Sequence, residues 1–233
     1  MNIWIDLREF FFPRWCLVCG KKLLREEQAA CVSCMGGLPR TGLMNTPGNE
    51  MEQLFWGLVP LERASSLFLY AKGGAVAQLL YAMKYHGRRL LCSQMGELIV
   101  SEIGPSGFFD GIDFLIPVPL HKSRQRKRGY NQCDWLARGI SSKTHIPICT
   151  TALYRERNNK TQTHFSSYER WENTISLFHL TPEAVRLEGK HVLLIDDVLT
   201  TGATLVACAT VLSKVKGLRI SVLTLAWAKY NAI

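Results

Sequence analysis

Val192-Leu193-Leu194-Ile195-Asp196-Asp197-Val198-Leu199-Thr200-Thr201-Gly202-Ala203-Thr204-Leu205 is the stretch on which the fold turns. Four apolar residues lead into two carboxylates, then a Thr/Gly turn, then a second apolar run. Residues 192–195 read as a strand buried on both faces of a parallel sheet, since such strands are continuous apolar runs. Asp196 and Asp197 then stand at its carboxyl end, where open α/β sheets bind ligands. Residues 205–214 have helical spacing, with Leu205, Cys208, Ala209 and Leu212 on one face. The turn over residues 200–204 therefore opens a helix, whose free N–H groups and positive dipole end suit a phosphate. Gly202 permits close backbone approach, and Thr200, Thr201 and Thr204 add hydroxyl donors. Two carboxylates beside that cradle suit sugar hydroxyls, or a Mg²⁺ shared with phosphates. An acid pair alone often just caps the next helix. The whole string in one register points to a ligand carrying both a phosphate and a diol.

The string resembles the 5-phosphoribosyl-1-pyrophosphate (PRPP) motif of type I phosphoribosyltransferases. The resemblance implies that Asp196, Asp197, Thr200, Thr201, Gly202, Ala203 and Thr204 bind PRPP with Mg²⁺. The acid pair, also the catalytic candidates, would hold the ribose hydroxyls, and the turn would hold the 5′-phosphate. The rest of the chain agrees on fold class. Apolar runs at 67–70, 113–116, 146–153 and 220–227 read as strands, and 75–85, 90–103 and 132–142 read as helices. Their alternation predicts an α/β fold: a type I phosphoribosyltransferase-like parallel sheet with helices on both faces.

The 233 residues suit one ordinary domain plus a small module. With 47% apolar and 20% charged residues, the chain is not disordered. No apolar run reaches the length of a membrane span. Asp6, Arg8 and Glu9 make the N-terminus a poor signal peptide, so a cytoplasmic protein is expected. The net charge of +9 calls for a polyanionic partner or a phosphorylated ligand. Residues 3–12 form an apolar segment, read as a short helix packed on its own module, with contact to a partner helix or a membrane as the alternative.

Cys16-x-x-Cys19 and Cys31-x-x-Cys34 are two knuckles separated by eleven residues. This spacing places four thiolates for a closed, tetrahedral and therefore structural Zn²⁺. A secreted disulfide framework would distribute its cysteines differently. Cys208 falls on the apolar face of its helix and reads as core. Cys92, Cys133 and Cys149 receive no role. Residues 36–48 hold four Gly and two Pro, which marks a connection. The expected domains are a zinc-binding module and linker over 1–50 and a phosphoribosyltransferase-like domain over 51–233.

Lys122, Arg124, Arg126, Lys127 and Arg128 follow a buried strand with no acid among them. In a loop on the ligand edge they would repel one another unless an anion neutralised them. Pyrophosphate is one candidate. A nucleic-acid backbone is the other, with Tyr130 as a stacking face. Residues 160–173 are polar with irregular aromatics, a pattern that fits a flexible cover over the site and an ordinary surface connection equally.

The paired knuckles, residues 80–87 (LYAMKYHG), 117–120 (PVPL), 124–132 (RQRKRGYNQ), 160–163 (KTQT), 170–173 (RWEN) and 196–204 together resemble the ComF family in order and spacing. That resemblance implies an N-terminal zinc module on a phosphoribosyltransferase-like domain. It implies a bacterial protein of natural transformation that binds PRPP and incoming single-stranded DNA in the cytosol, among DNA-uptake proteins. It leaves enzymatic turnover open: an active phosphoribosyltransferase of unknown acceptor and a regulatory PRPP sensor are the alternatives.

Overall fold

The computed structural model describes residues 13–44, 46–85, 87–156 and 177–229. The apolar segment 3–12, the stretch 160–173 and His86 lie outside the described residues. The strands are β1 (Arg63–Leu69), β2 (Phe114–Pro117), β3 (Leu153–Arg155), β4 (Phe178–Leu180), β5 (His191–Leu199) and β6 (Arg219–Trp227). The α-helices are α1 (Val32–Gly36), α2 (Glu50–Gln53), α3 (Ala75–Lys84), α4 (Arg89–Ile103), α5 (Lys122–Arg128), α6 (Gln132–Thr144) and α7 (Ala203–Leu212).

Four strands form one sheet in the order β1-β6-β5-β2, every pair parallel. The continuous apolar run of β5 follows from this, because both of its faces are covered. Alternation sends Leu193 and Ile195 into one core with α3, α4 and α6. Val192 and Leu194 enter the other core with α7. Helices thus lie on both faces, as the sequence predicts. β3 and β4 form a separate antiparallel pair.

Several boundaries differ from the sequence reading, each for a physical reason. β5 does not stop at Ile195 but continues to Leu199, and Asp196 pairs in register with Thr224 of β6. The acid pair therefore sits within the last turns of the pleat rather than past it. β1 starts at Arg63, not Leu67. Ser65 and Ser66 look like loop residues but are buried in the sheet at 1% and 0% exposure. α7 has no single apolar face; Leu205 to Ala209, Val211 and Leu212 are all buried, as in a helix covered on most sides. Of the strand expected over 146–153, Ile148 makes one parallel bridge to Leu115, and only Leu153 reaches β3.

The Gly/Pro-rich connection is built into the sheet. Leu69 N–H donates to Pro39 O at 2.8 Å and Thr41 N–H donates to Leu67 O at 3.0 Å, so residues 39–41 run antiparallel beside β1. Helices α4 and α6 touch backbone to backbone. A Cβ on Gly139 would stand 1.8 Å from Ser93 O, and one on Gly96 would stand 2.2 Å from Leu136 O. No helix among the described residues is long and apolar enough to cross a membrane.

Candidate functional site

The cysteine knuckles converge. The Sγ atoms of Cys16, Cys19, Cys31 and Cys34 all lie within 4.8 Å of one another. Cys19 Sγ and Cys31 Sγ are 3.8 Å apart, close to the edge of a tetrahedron with Zn–S bonds of about 2.3 Å. Burial raises the pKa of Cys16, but backbone N–H groups of Cys19, Cys31 and Val18 aimed at its sulfur bring it down to about 6. The group fits a metal ion, and its all-sulfur donor set suits zinc. Glu27 fastens the two knuckles by accepting Leu24 N–H at 2.7 Å and Val32 N–H at 2.8 Å. Arg40 ties the module to α4 through a two-pronged pair with Glu102, at 3.0 and 2.8 Å.

Near the carboxyl end of β5, a central strand of the sheet, stands the acid pair. Asp196 Oδ1 accepts Asp197 N–H at 2.8 Å and the Cys133 thiol at 3.3 Å. Asp197 Oδ2 meets Lys84 Nζ at 2.8 Å and Gln132 Nε2 at 3.2 Å. Gln132 Oε1 in turn accepts from Arg128 Nη1 at 3.0 Å. A hydrogen-bonded chain thus runs from the basic stretch to the acid pair. Burial and the neighbouring Asp197 raise Asp196 to about 7, against the opposing pull of its two donors and Lys84. The site is a carboxylate pair, one member matched to an internal lysine and the other poised to gain a proton or a cation.

The turn after β5 opens α7, as the sequence predicts. Gly202 is the N-cap of α7 at φ +80°, and no side chain caps the helix. Its first N–H groups therefore carry no side-chain cap. Thr200 and Thr201 are exposed, and Ala203 and Thr204 half-buried. Gly202 is required by its left-handed backbone rather than by crowding, since the nearest atom to an added Cβ is Leu199 Cδ1 at 4.0 Å.

Two expectations for the basic stretch are corrected. Lys122 to Arg128 is a helix, not a loop. The His121 side chain accepts Ser123 N–H at its start, and Gly129 ends it at φ +80°. Lys122, Arg124, Arg126 and Lys127 are exposed, while Arg128 is half-buried. Tyr130 offers no face to a base: it is 5% exposed, its hydroxyl donates to Met83 O, and the Arg89 guanidinium lies 5.6 Å from its ring centre.

A phosphoribosyl transferase domain model matches residues 133–231. Competence protein F of Haemophilus influenzae is 30% identical over 203 residues, 87% of this chain and 80% of that protein. The chain belongs to the ComF family. The DNA utilization protein YhgH of Shigella flexneri is 28% identical over 214 residues, covering 90% of this chain and 89% of the relative. Competence protein ComFC of Bacillus subtilis is 35% identical over 112 residues, 48% of this chain and 43% of the relative.

Four residues around the acid pair carry no assigned role from sequence alone: Lys84, Gln132, Cys133 and Arg155. Lys84 has a local signal, as the one cation on the otherwise uncharged α3. Gln132 and Cys133 open α6, and only the fold brings them to β5. Arg155 of β3 lies over the Phe178 ring at 5.3 Å, and its buried Nε has no hydrogen-bond partner among the described residues. Burial and Arg124 lower its pKa, and Cys208 and Asp196 oppose the fall.

Proposed function

We propose that this protein binds PRPP with Mg²⁺ and single-stranded DNA, and serves DNA uptake or utilization, as the names of its relatives suggest. The supporting observation is the chain Arg128–Gln132–Asp197. It joins a helix of exposed cations to a carboxylate pair beside an uncapped helix start. Asp196 and Asp197 take the ribose hydroxyls, with Mg²⁺ adding positive charge beside them. The N-terminus of α7, with Thr200, Thr201 and Thr204, takes the 5′-phosphate. Arg124, Arg126 and Lys127 face solvent and take phosphates of a strand or pyrophosphate. The four cysteines hold a structural zinc, and the working compartment is the cytoplasm.

A second reading, phosphoribosyl transfer, draws support from Arg155. A half-buried guanidinium whose Nε has no partner among the described residues, in the field of Asp196, suits stabilisation of departing pyrophosphate. One experiment separates the two. Calorimetric titration with PRPP and Mg²⁺ should show binding, lost in the variant Asp196→Asn/Asp197→Asn, and pyrophosphate release should stay at background across free nucleobases. Release with one base would establish the enzyme. Equal heats for wild type and variant would remove the ligand from this edge.

A further inference from the structure

With Tyr130 buried, the basic helix α5 lacks the aromatic face a single strand needs, and the structure supplies another. Tyr81 and Tyr85 of α3 are 58% and 46% exposed. Their ring centres are 4.7 Å apart and their planes meet at 38°. An i, i+4 tyrosine pair by itself only steadies a helix. Its position sets this one apart. The Arg128 guanidinium lies 5.5 Å from the Tyr85 ring centre, so the pair borders the last turn of α5, where Arg126, Lys127 and Arg128 cluster. Aromatic faces beside a line of cations are the two parts of a sequence-tolerant single-strand site.

We infer that Tyr81 and Tyr85 form a base-stacking platform, and that single-stranded DNA binds with its bases on these rings and its phosphates along α5. This deepens the DNA-binding reading above and rests on it. Duplex is a poor occupant, because paired bases show no free face. Charge complementarity selects the strand, since α5 carries five cations and no acid.

The test uses the full-length protein, a fluorescein-labelled oligothymidylate, and an abasic strand with the same number of phosphates, followed by anisotropy. Stacking contributes about 1–3 kcal/mol per base, so Tyr81→Ala/Tyr85→Ala should weaken oligothymidylate binding by roughly tenfold or more. Its affinity for the abasic strand should equal that of wild type, and Tyr81→Phe/Tyr85→Phe should bind both as wild type does. Thermal melting confirms that these surface changes leave the fold intact. Undiminished binding of oligothymidylate by the double alanine variant, or an equal loss on both strands, overturns the platform while leaving DNA binding in place. Failure of wild-type protein to bind either strand overturns the DNA reading itself, and the platform with it.

Discussion

Lys84 Nζ lies 2.8 Å from Asp197 Oδ2, and both side chains are largely shielded, at 24% and 6% exposure. A cation carried by one helix thus neutralises a carboxylate carried by a strand more than a hundred residues away. Burial lowers the pKa of Lys84, but Asp197 and Asp196 outweigh it and the net shift is upward. The folded protein therefore holds this proton more tightly than the unfolded chain does.

Lys84→Met should cost about 3 kcal/mol, because it strands a buried carboxylate. Urea denaturation reads the loss, and the further change Asp197→Asn should recover part of it. In wild type the stabilisation from the raised lysine is complete below its unfolded pKa of about 10.4 and declines as pH climbs through the folded value. That alkaline decline should vanish in Lys84→Met.

Asp196 has the opposite profile from a salt-bridged acid. Its folded pKa, raised to about 7, exceeds the unfolded value. Its contribution to stability is full below an unfolded pKa of about 3.9 and falls as pH rises toward 7. A cation-bearing ligand favours the ionised form. Binding of PRPP with Mg²⁺ should release protons below pH 7 and strengthen as pH rises to neutrality. Calorimetry in buffers of different ionisation enthalpy measures this release, and Asp196→Asn should remove its share. Release undiminished in that variant would assign it to the ligand's own phosphates.

Gly202→Val should weaken PRPP binding and destabilise the fold by about 1–2 kcal/mol, because a β-branched residue resists the left-handed region. Gly202→Asn should be milder, since asparagine tolerates that region. Comparable losses from the two would mean that side-chain bulk, rather than backbone angle, decides.

Stripping the metal should lower the melting temperature of the whole chain in one cooperative step. Leu23, Ala29, Ala30 and Leu38 of the knuckle region share one apolar cluster with Leu79, Met83 and Met95 of α3 and α4. Four Cys→Ser changes should mimic chelation, with about one Zn²⁺ lost per chain. Two separated calorimetric transitions would show that the module melts alone.

What could be read from the sequence was whatever local chemistry specifies. The run at 192–195 reads as a covered strand, the cysteine spacing as a group that closes on itself, and Gly202 as the turn. The basic stretch misleads because five cations placed directly after a buried strand read as the loop on its carboxyl edge. Yet three of its cations fall in the last turn of α5, where the negative end of the helix dipole offsets them. Ser65 and Ser66 mislead because polar residues inside a parallel sheet look like its edge. Tyr130 reads as a stacking face from its neighbours in sequence, whereas its surroundings are set by Met83 and Arg89 from α3 and α4. The partners of the acid pair come from α3 and α6, and no spacing rule reaches that far.

Where their backbones meet at Gly96 and Gly139, α4 and α6 have no side chain between them to act as a cushion. Two close-packed rods without a compressible layer cannot slide, so they move as one beam. The knuckles are bolted to that beam through Arg40 and Glu102, and Gln132 and Cys133 grip the acid pair at its other end. An enlarging substitution such as Gly139→Ala, at a residue of neither site, would throw both out of alignment at once.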